Sequence, residues 1–567
     1  MRKGVIIMKS ISLDNIQIYG DLAMRTLLNY SRLESIWYRP EKVFEADQAN
    51  WPGDWEGRAI LALTMLGQTT KREPAYLDEI MRLLPKHFNS KEYLGEIYPE
   101  GIISEQQLSG HSWLLRGFIE FYLWKKDESV LQMIKSIVNK LLLPARNHYK
   151  EYPASPKDRE YDKIQPKGEA MGKLTGTLVN NWYTSTDIGC AFIMLDGATQ
   201  AYELLRLPEL EELIKEMLDK FFQIDLLGIS IQTHATLSGL RGALRYYELK
   251  GNNELLEQII HFYDIYRTEG MTENYSNYNW FNRPEWTEPC AIVDSYIVSF
   301  QLWKHTKNER YLEDAHNIYF NGLGYAQRPN GGFGCDTCLG DNQYLNGQEG
   351  IYEAYWCCTM RGSDGLANVS KNIALYNEDS IVLPFYFDSK FELKSKEGFI
   401  ECKEHTQYPY HGNVELEIIK TNMIGKKNIQ FYIPSWVPEN SIKVLVNGKC
   451  QTVCVEEGFV QVTVPVEEGL KISLQFPISL RAEKMQNKNT PSEYKKYFHG
   501  GLLLGYDNAS LPISIDCTGS FQYLEHGKYI YNNEIVLEPI RHILDELPDI
   551  AKQNRKQVLF NNNKVVN

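Results

Sequence analysis

No run of apolar residues in this 567-residue chain approaches the length of a membrane-spanning helix, so no helical membrane span and no membrane partner are expected. Positive charge is also in short supply: 60 Lys and Arg stand against 73 Asp and Glu, a formal net charge of −13. Phosphate backbones are gripped by clustered Lys and Arg, so nucleic acid is not expected as a partner either. Cysteine is too sparse for a disulfide scaffold, and the ten present are unevenly spread, with five between Cys290 and Cys358. The start, Met1 to Met8, has a basic tip, but its apolar run is too short for a secretory signal. These shortages together predict a reducing, cytoplasmic compartment.

What is present is ordinary globular material. Apolar residues make up 43% and charged residues 23%, which argues against long disorder, and the length calls for two or three domains. The 36 Tyr and 11 Trp are a faint pointer to sugars, since most must be core.

The first two-thirds reads as helix after helix. Trp55 to Leu66 carries apolar residues at helical spacing, and a two-helix unit then recurs. Its copies run from His111 to Ile137, Ala191 to Met217, His234 to Tyr263 and Ala291 to Phe320, each broken by a short polar turn. Helical pairs bury their faces by stacking on neighbours, and closing about six into a ring predicts an (α/α)6 toroid. After Leu375 the pattern alternates like strands, as in Asn413 to Ile419 and Phe459 to Val464, which predicts an antiparallel β-sandwich. The expected division is a toroid over 1–375, a sandwich over 376–483, and a linker with a reduced second β module and polar tail over 484–567. The fold class is thus α+β multidomain.

The chemistry-bearing signals are Trp356-Cys357-Cys358-Thr359 and Thr287-Glu288-Pro289-Cys290-Ala291. Adjacent cysteines are poor disulfide partners, yet both can ligate one soft metal. Three thiolates and a carboxylate make a four-coordinate zinc set if the fold joins the two segments. Buried apolar cysteine is the plain alternative. Cys335 and Cys338 form a CxxC pair that competes for Cys357 and Cys358 and would leave Glu288 outside. Cys190, Cys402, Cys450, Cys454 and Cys517 read as structural.

With Trp51-Pro-Gly-Asp-Trp-Glu-Gly-Arg58, Gly110 to Gly117, Thr233-His-Ala-Thr236 and the two cysteine elements in this order, the chain resembles the β-L-arabinofuranosidase-like glycoside hydrolases of families 127 and 146. The resemblance runs from about Trp51 into the strands after Leu375. It implies a retaining hydrolase on an (α/α)6 domain with β-sandwich modules. Cys357 is then the nucleophile, with Zn2+ held by Glu288, Cys290, Cys357 and Cys358. The resemblance also implies a glutamate acid/base shortly before Glu288. Glu269, Glu273 and Glu285 are the candidates, and Glu273 lies closest to the expected offset. His234 and His111 match family positions lining the pocket, and Trp280, Trp286, Tyr278 and Trp356 are candidate sugar platforms.

The expected substrate is an oligosaccharide or glycoconjugate, in the specific form a terminal β-L-arabinofuranoside. Two other classes stay open at this stage: a carbohydrate-binding protein with a structural zinc site, and a toroid-fold lyase or epimerase. A homodimer through the C-terminal β module is a further expectation.

Overall fold

The computed structural model describes residues 8–45, 51–158, 174–348, 351–486, 493–507, 512–515, 519–541 and 555–561. The first seven residues, residues 487–492 of the 484–496 linker, Cys517 and much of the polar tail therefore lie outside the described residues.

Twelve helices build the toroid, alternating between an outer and an inner layer. They are α1 (Gly20–Leu33), α2 (Asp54–Thr70), α3 (Leu77–Leu83), α4 (Glu105–Lys125), α5 (Glu128–Ile137) and α6 (Met194–Leu205). They continue as α7 (Pro208–Phe221), α8 (Thr233–Lys250), α9 (Asn253–Ile265), α10 (Pro289–Thr306), α11 (Glu309–Asn317) and α12 (Cys358–Lys371). The even-numbered helices touch in sequence, α2 on α4, α4 on α6, and so on, until α12 returns to α2 and closes the ring. Ring closure, an inference from repeats at the level of sequence, is thus observed.

Each layer follows from its residues. The inner α10 is buried almost continuously from Pro289 to Phe300, whereas the outer α5 buries only Val130, Ile134 and Ile137. A stripe that narrow fits a helix with one face in water. The turns between pairs repeat one device. A left-handed residue ends the inner helix and the next residue starts the outer one: Lys126 then Asp127, Gly251 then Asn252, Lys307 then Asn308. Asp127, Asn252 and Asn308 each accept a backbone N–H of the first turn that follows, at 2.9–3.2 Å.

Beyond α12 two sheets form the sandwich. One orders its strands Lys9–Ser10, Leu375–Tyr376, Ser380–Leu383, Lys426–Tyr432 and Phe459–Pro465. The other runs Lys449–Gln451, Lys443–Val446, Lys471–Phe476, Gly412–Thr421, Gly398–Thr406, Ser389–Ser395 and Ile16–Ile18. All these pairs are antiparallel except Lys426–Tyr432 on Ser380–Leu383, which is parallel. Residues 9–18, grouped by sequence with the toroid, lend a strand to each sheet. A third sheet, built mainly from residues 480–539, also takes in Tyr344–Leu345 from the helical region. No helix among the described residues is long and apolar enough to cross a membrane.

Candidate active site

At the centre of the ring the inner helices turn their N-termini toward one cavity. Glu288 caps α10, Pro289 opens it and Cys290 follows within its first turn. Cys357 stands at the N-cap of α12 with Cys358 as its first residue. Two helix N-termini thus bring their positive dipole ends close to the same cluster of sulfurs and carboxylate, which favours negative charge there.

The fold closes the long separation between the two segments. Cys290 Sγ lies 3.1 Å from Cys357 Sγ and 3.7 Å from Cys358 Sγ. With a Glu288 oxygen, one donor atom from each of the four residues falls within 4.8 Å of every other, a set able to hold a metal ion. Cys290 and Cys358 are buried and Cys357 is half-buried on the cavity wall. Hydrogen bonds from the Cys290 and Cys358 thiols hold the Cys357 thiol well below its ordinary range. Burial pushes the other two well above it.

Glu288 is held from several sides. His234 Nδ1 stands 3.2 Å away, Gln232 Nε2 donates at 3.4 Å, and the Asn279 amide donates to it while accepting from Trp286 Nε1. The far nitrogen of His234 faces Asp294 at 3.6 Å. Asp294 belongs to a buried network in which Asp196, Asp294 and Asp364 face Arg116, Arg241 and Arg361, drawn from five inner helices. Burial alone would raise the Asp294 carboxyl, but Arg361 and Arg241 hold it well below the usual range. On the opposite wall Arg58 donates to Cys290 Sγ at 3.5 Å and pairs with Asp54 at 2.7 Å. Its guanidinium lies 4.0 Å from the centre of the Trp113 ring.

The sequence-named residues divide sharply. His234, Trp286, Trp356 and Cys335 line the cavity together with Glu288, Cys357 and Cys358. His111 does not. Its Nε2 accepts from Leu94 N and its Nδ1 donates to Gln107 O, so both nitrogens are spent on backbone, and burial lowers it to about 4. Glu273, the favoured acid, is likewise not among the cavity-lining residues. Its carboxylate is sealed against Lys496 at 2.8 Å, both side chains at 0% exposure, and it also accepts from Gln486 N. Glu285 pairs with Arg283, which covers Trp280. Glu269, Trp280 and Tyr278 also fall outside the lining. The CxxC pair splits: Cys335 reaches the cavity and hydrogen-bonds with Cys358, while Cys338 is directed at Asn277 O. Cys190 and Cys402 are buried as structural residues, whereas Cys450 and Cys454 are exposed and are not core.

Several lining residues were given no role at the level of sequence, among them Asp54, Arg58, Asp187, Gln232 and Asn279. Asp54 and Arg58 lie inside the quoted Trp51-to-Arg58 element, and their spacing of four on a helix was the available signal. Asp187, Gln232 and Asn279 sit in loops ahead of inner helices, where no periodicity marks them.

Residues 380–478 match the family model described as the middle domain of family 127 β-L-arabinofuranosidases. No curated protein matches the chain by sequence. Among solved structures, a family 127 β-arabinofuranosidase aligns over 99% of this chain and 98% of its own, at 13% identity and a TM-score of 0.71. A second structure, described as a glycoside hydrolase, covers 99% of both chains at 12% identity and a TM-score of 0.73. A family 127 β-L-arabinofuranosidase from Geobacillus stearothermophilus T6 covers 97% of this chain and 100% of its own, at 11% identity and a TM-score of 0.68. The middle-domain signature and the full-length fold bear out the resemblance read from the sequence.

Proposed function

We propose that this chain is a glycoside hydrolase of the family 127 kind, a retaining exo-enzyme whose nucleophile is Cys357, a reading supported by the middle-domain match over residues 380–478 and the shared full-length fold. The observation that carries the reading is the convergence of Glu288, Cys290, Cys357 and Cys358 within 4.8 Å on one cavity, with Cys357 the most exposed of the three thiols. Three sulfurs and one carboxylate, buried and supported by His234 and Gln232, suit zinc by donor chemistry and number. When bound, zinc would keep the thiols deprotonated and temper their basicity.

This chain's own residues do the rest. The Cys357 sulfur attacks the anomeric carbon as the glycosidic bond breaks, giving a thioglycosyl enzyme, and water then displaces the sulfur with net retention. Trp356, Trp286 and His234 line the wall where the sugar would sit. A compact terminal sugar is the proposed substrate, a β-L-arabinofuranoside of a small oligosaccharide in the first instance, acted on in the cytoplasm.

The test is zinc content of the wild-type protein beside Cys290→Ala. About one zinc per chain, lost in the variant, ties the cluster to the metal. Turnover of furanosides that vanishes in Cys357→Ala then identifies the nucleophile. A wild type without zinc, even when purified with added metal, would overturn the mechanism.

A further inference from the structure

Resting on the cysteine-nucleophile reading, we infer that Arg58 is a positioning residue that favours breakdown of the thioglycosyl enzyme. Its guanidinium stabilises the negative charge that returns to the cysteine cluster when the carbon–sulfur bond breaks. That bond is slow to break unless the departing sulfur is held as a thiolate, so positive charge must be in place beforehand. The donor set supplies the opposite. Three thiolates and a carboxylate carry four negative charges, against two on a zinc ion. Among the described residues that line the cavity, Arg58 is the only Lys or Arg.

The guanidinium is aimed at the sulfurs. Asp54 takes Nε at 2.7 Å, and Nη1 donates to Cys290 Sγ at 3.5 Å. Its charge acts on Cys357 as well as on Cys290. The fully buried ring of Trp113 lies 4.0 Å from it. Gly57 lets α2 press onto α4 at this point, since a Cβ there would fall 2.3 Å from the Trp113 carbonyl carbon. Arg116 and Arg361, also over that ring, are paired instead with the Asp196, Asp294 and Asp364 network. On a solvent-facing helix an Asp and an Arg four apart would be ordinary support. Here the Asp54 and Arg58 side chains are 13% and 5% exposed, a desolvation cost that helix support alone does not call for.

In the breakdown step a water oxygen bonds to the anomeric carbon and its proton passes to solvent. The carbon–sulfur bond breaks, and its electron pair returns to Cys357 Sγ as a thiolate. Thioglycosyl enzyme and water thus give free sugar, thiolate and one proton, with no further reactant. Charge appears on the sulfur in this step, with Arg58 already set against it. In the preceding attack the same charge leaves the sulfur, so Arg58 favours breakdown over attack.

The experiment follows p-nitrophenyl glycosides, β-L-arabinofuranosides first and then other furanosides and pyranosides, with wild type, Arg58→Met, Arg58→Lys and Cys357→Ala. Zinc content and circular dichroism check each site and fold. Arg58→Met is expected to release a burst of about one p-nitrophenolate per chain, then to turn over about 10²–10³-fold more slowly than wild type. Intact-mass spectrometry of the quenched reaction is expected to find the sugar on Arg58→Met and not on Cys357→Ala. KM is expected to fall with kcat, leaving kcat/KM unchanged or raised, whereas a misshapen site lowers kcat and kcat/KM together. Arg58→Lys, which keeps the charge, is expected to accumulate less adduct and to recover part of the rate. Wild-type turnover in Arg58→Met, or kcat and kcat/KM falling alike without adduct, overturns the assignment. A zinc-free Arg58→Met leaves the decision to Arg58→Lys, whose kcat must then fall with kcat/KM preserved; equal losses, or none, overturn it. Turnover retained by Cys357→Ala sinks the nucleophile reading beneath it, and a wild type that cleaves none of the glycosides sinks the glycosidase reading.

Discussion

Glu288 approaches the cysteines as a carboxylate already gripped by three side chains, and His234 is the one that links it to the ion network beneath. A ligand oriented this way loses affinity when its support is removed, typically about 10–100-fold. His234→Phe is therefore expected to weaken zinc binding by that factor, measured by competition with a chromophoric chelator. His234→Asn, which keeps a donor toward Glu288, is expected to recover part of it. Equal affinity in wild type and His234→Phe would mean that Glu288 needs no such support. The same close-range logic explains why His111 was misread. Position on an inner helix and resemblance both pointed to the pocket, but Leu94 N and Gln107 O take its two nitrogens.

Among the helices, what the sequence made legible was local. The hairpin turns could be found because a left-handed residue followed by a capping side chain is written in adjacent letters. The cysteine pair and the Glu288–Cys290 element were legible as donors for the same reason. Which thiols of the CxxC pair would join them was not, because Cys335 and Cys338 are separated by a loop whose path is fixed by the Thr287–Asp336 backbone pairing. Ring closure was reached only by inference from the repeats, since it depends on how closely inner helices approach. Gly57 on α2 is the tightest such point: a Cβ there would fall 2.2 Å from Leu114 N, on the backbone of α4. Gly57→Ala is expected to cost about 1–3 kcal/mol or more, read from the urea midpoint. Asp127→Ala, which removes one outer-helix cap, is expected to cost only about 1 kcal/mol. If the two fell equally, close approach of the inner helices would not be what limits the ring.

Across the whole molecule, toroid and β modules are joined by buried polar contacts between residues far apart in sequence, which is why Glu273 looked catalytic when read alone. Its partner Lys496 lies in the third sheet, so Lys496→Met leaves an uncompensated buried carboxylate and is expected to cost about 3–5 kcal/mol. The double variant Glu273→Leu/Lys496→Met is expected to be markedly more stable than Lys496→Met alone. A second joint responds to pH. His316 on α11 stacks on Phe385 with ring centroids 4.2 Å apart, and its Nε2 hydrogen-bonds with the Pro384 carbonyl at 2.7 Å. Burial lowers it to about 4, as it does His111 within the toroid. An unfolded histidine titrates near 6.5, so below that value the unfolded chain binds more protons than the folded one. The stability these two residues contribute is thus complete above pH 6.5 and drains away as pH falls toward 4. Between pH 7 and 5 each is expected to remove on the order of 2 kcal/mol. Urea midpoints across that window should fall with pH in the wild type, and His111→Gln/His316→Gln should flatten the slope even if it starts from a lower plateau. A slope unchanged in the double variant would assign the acid sensitivity to other groups, and the contact between toroid and sandwich would then be indifferent to the charge on His316.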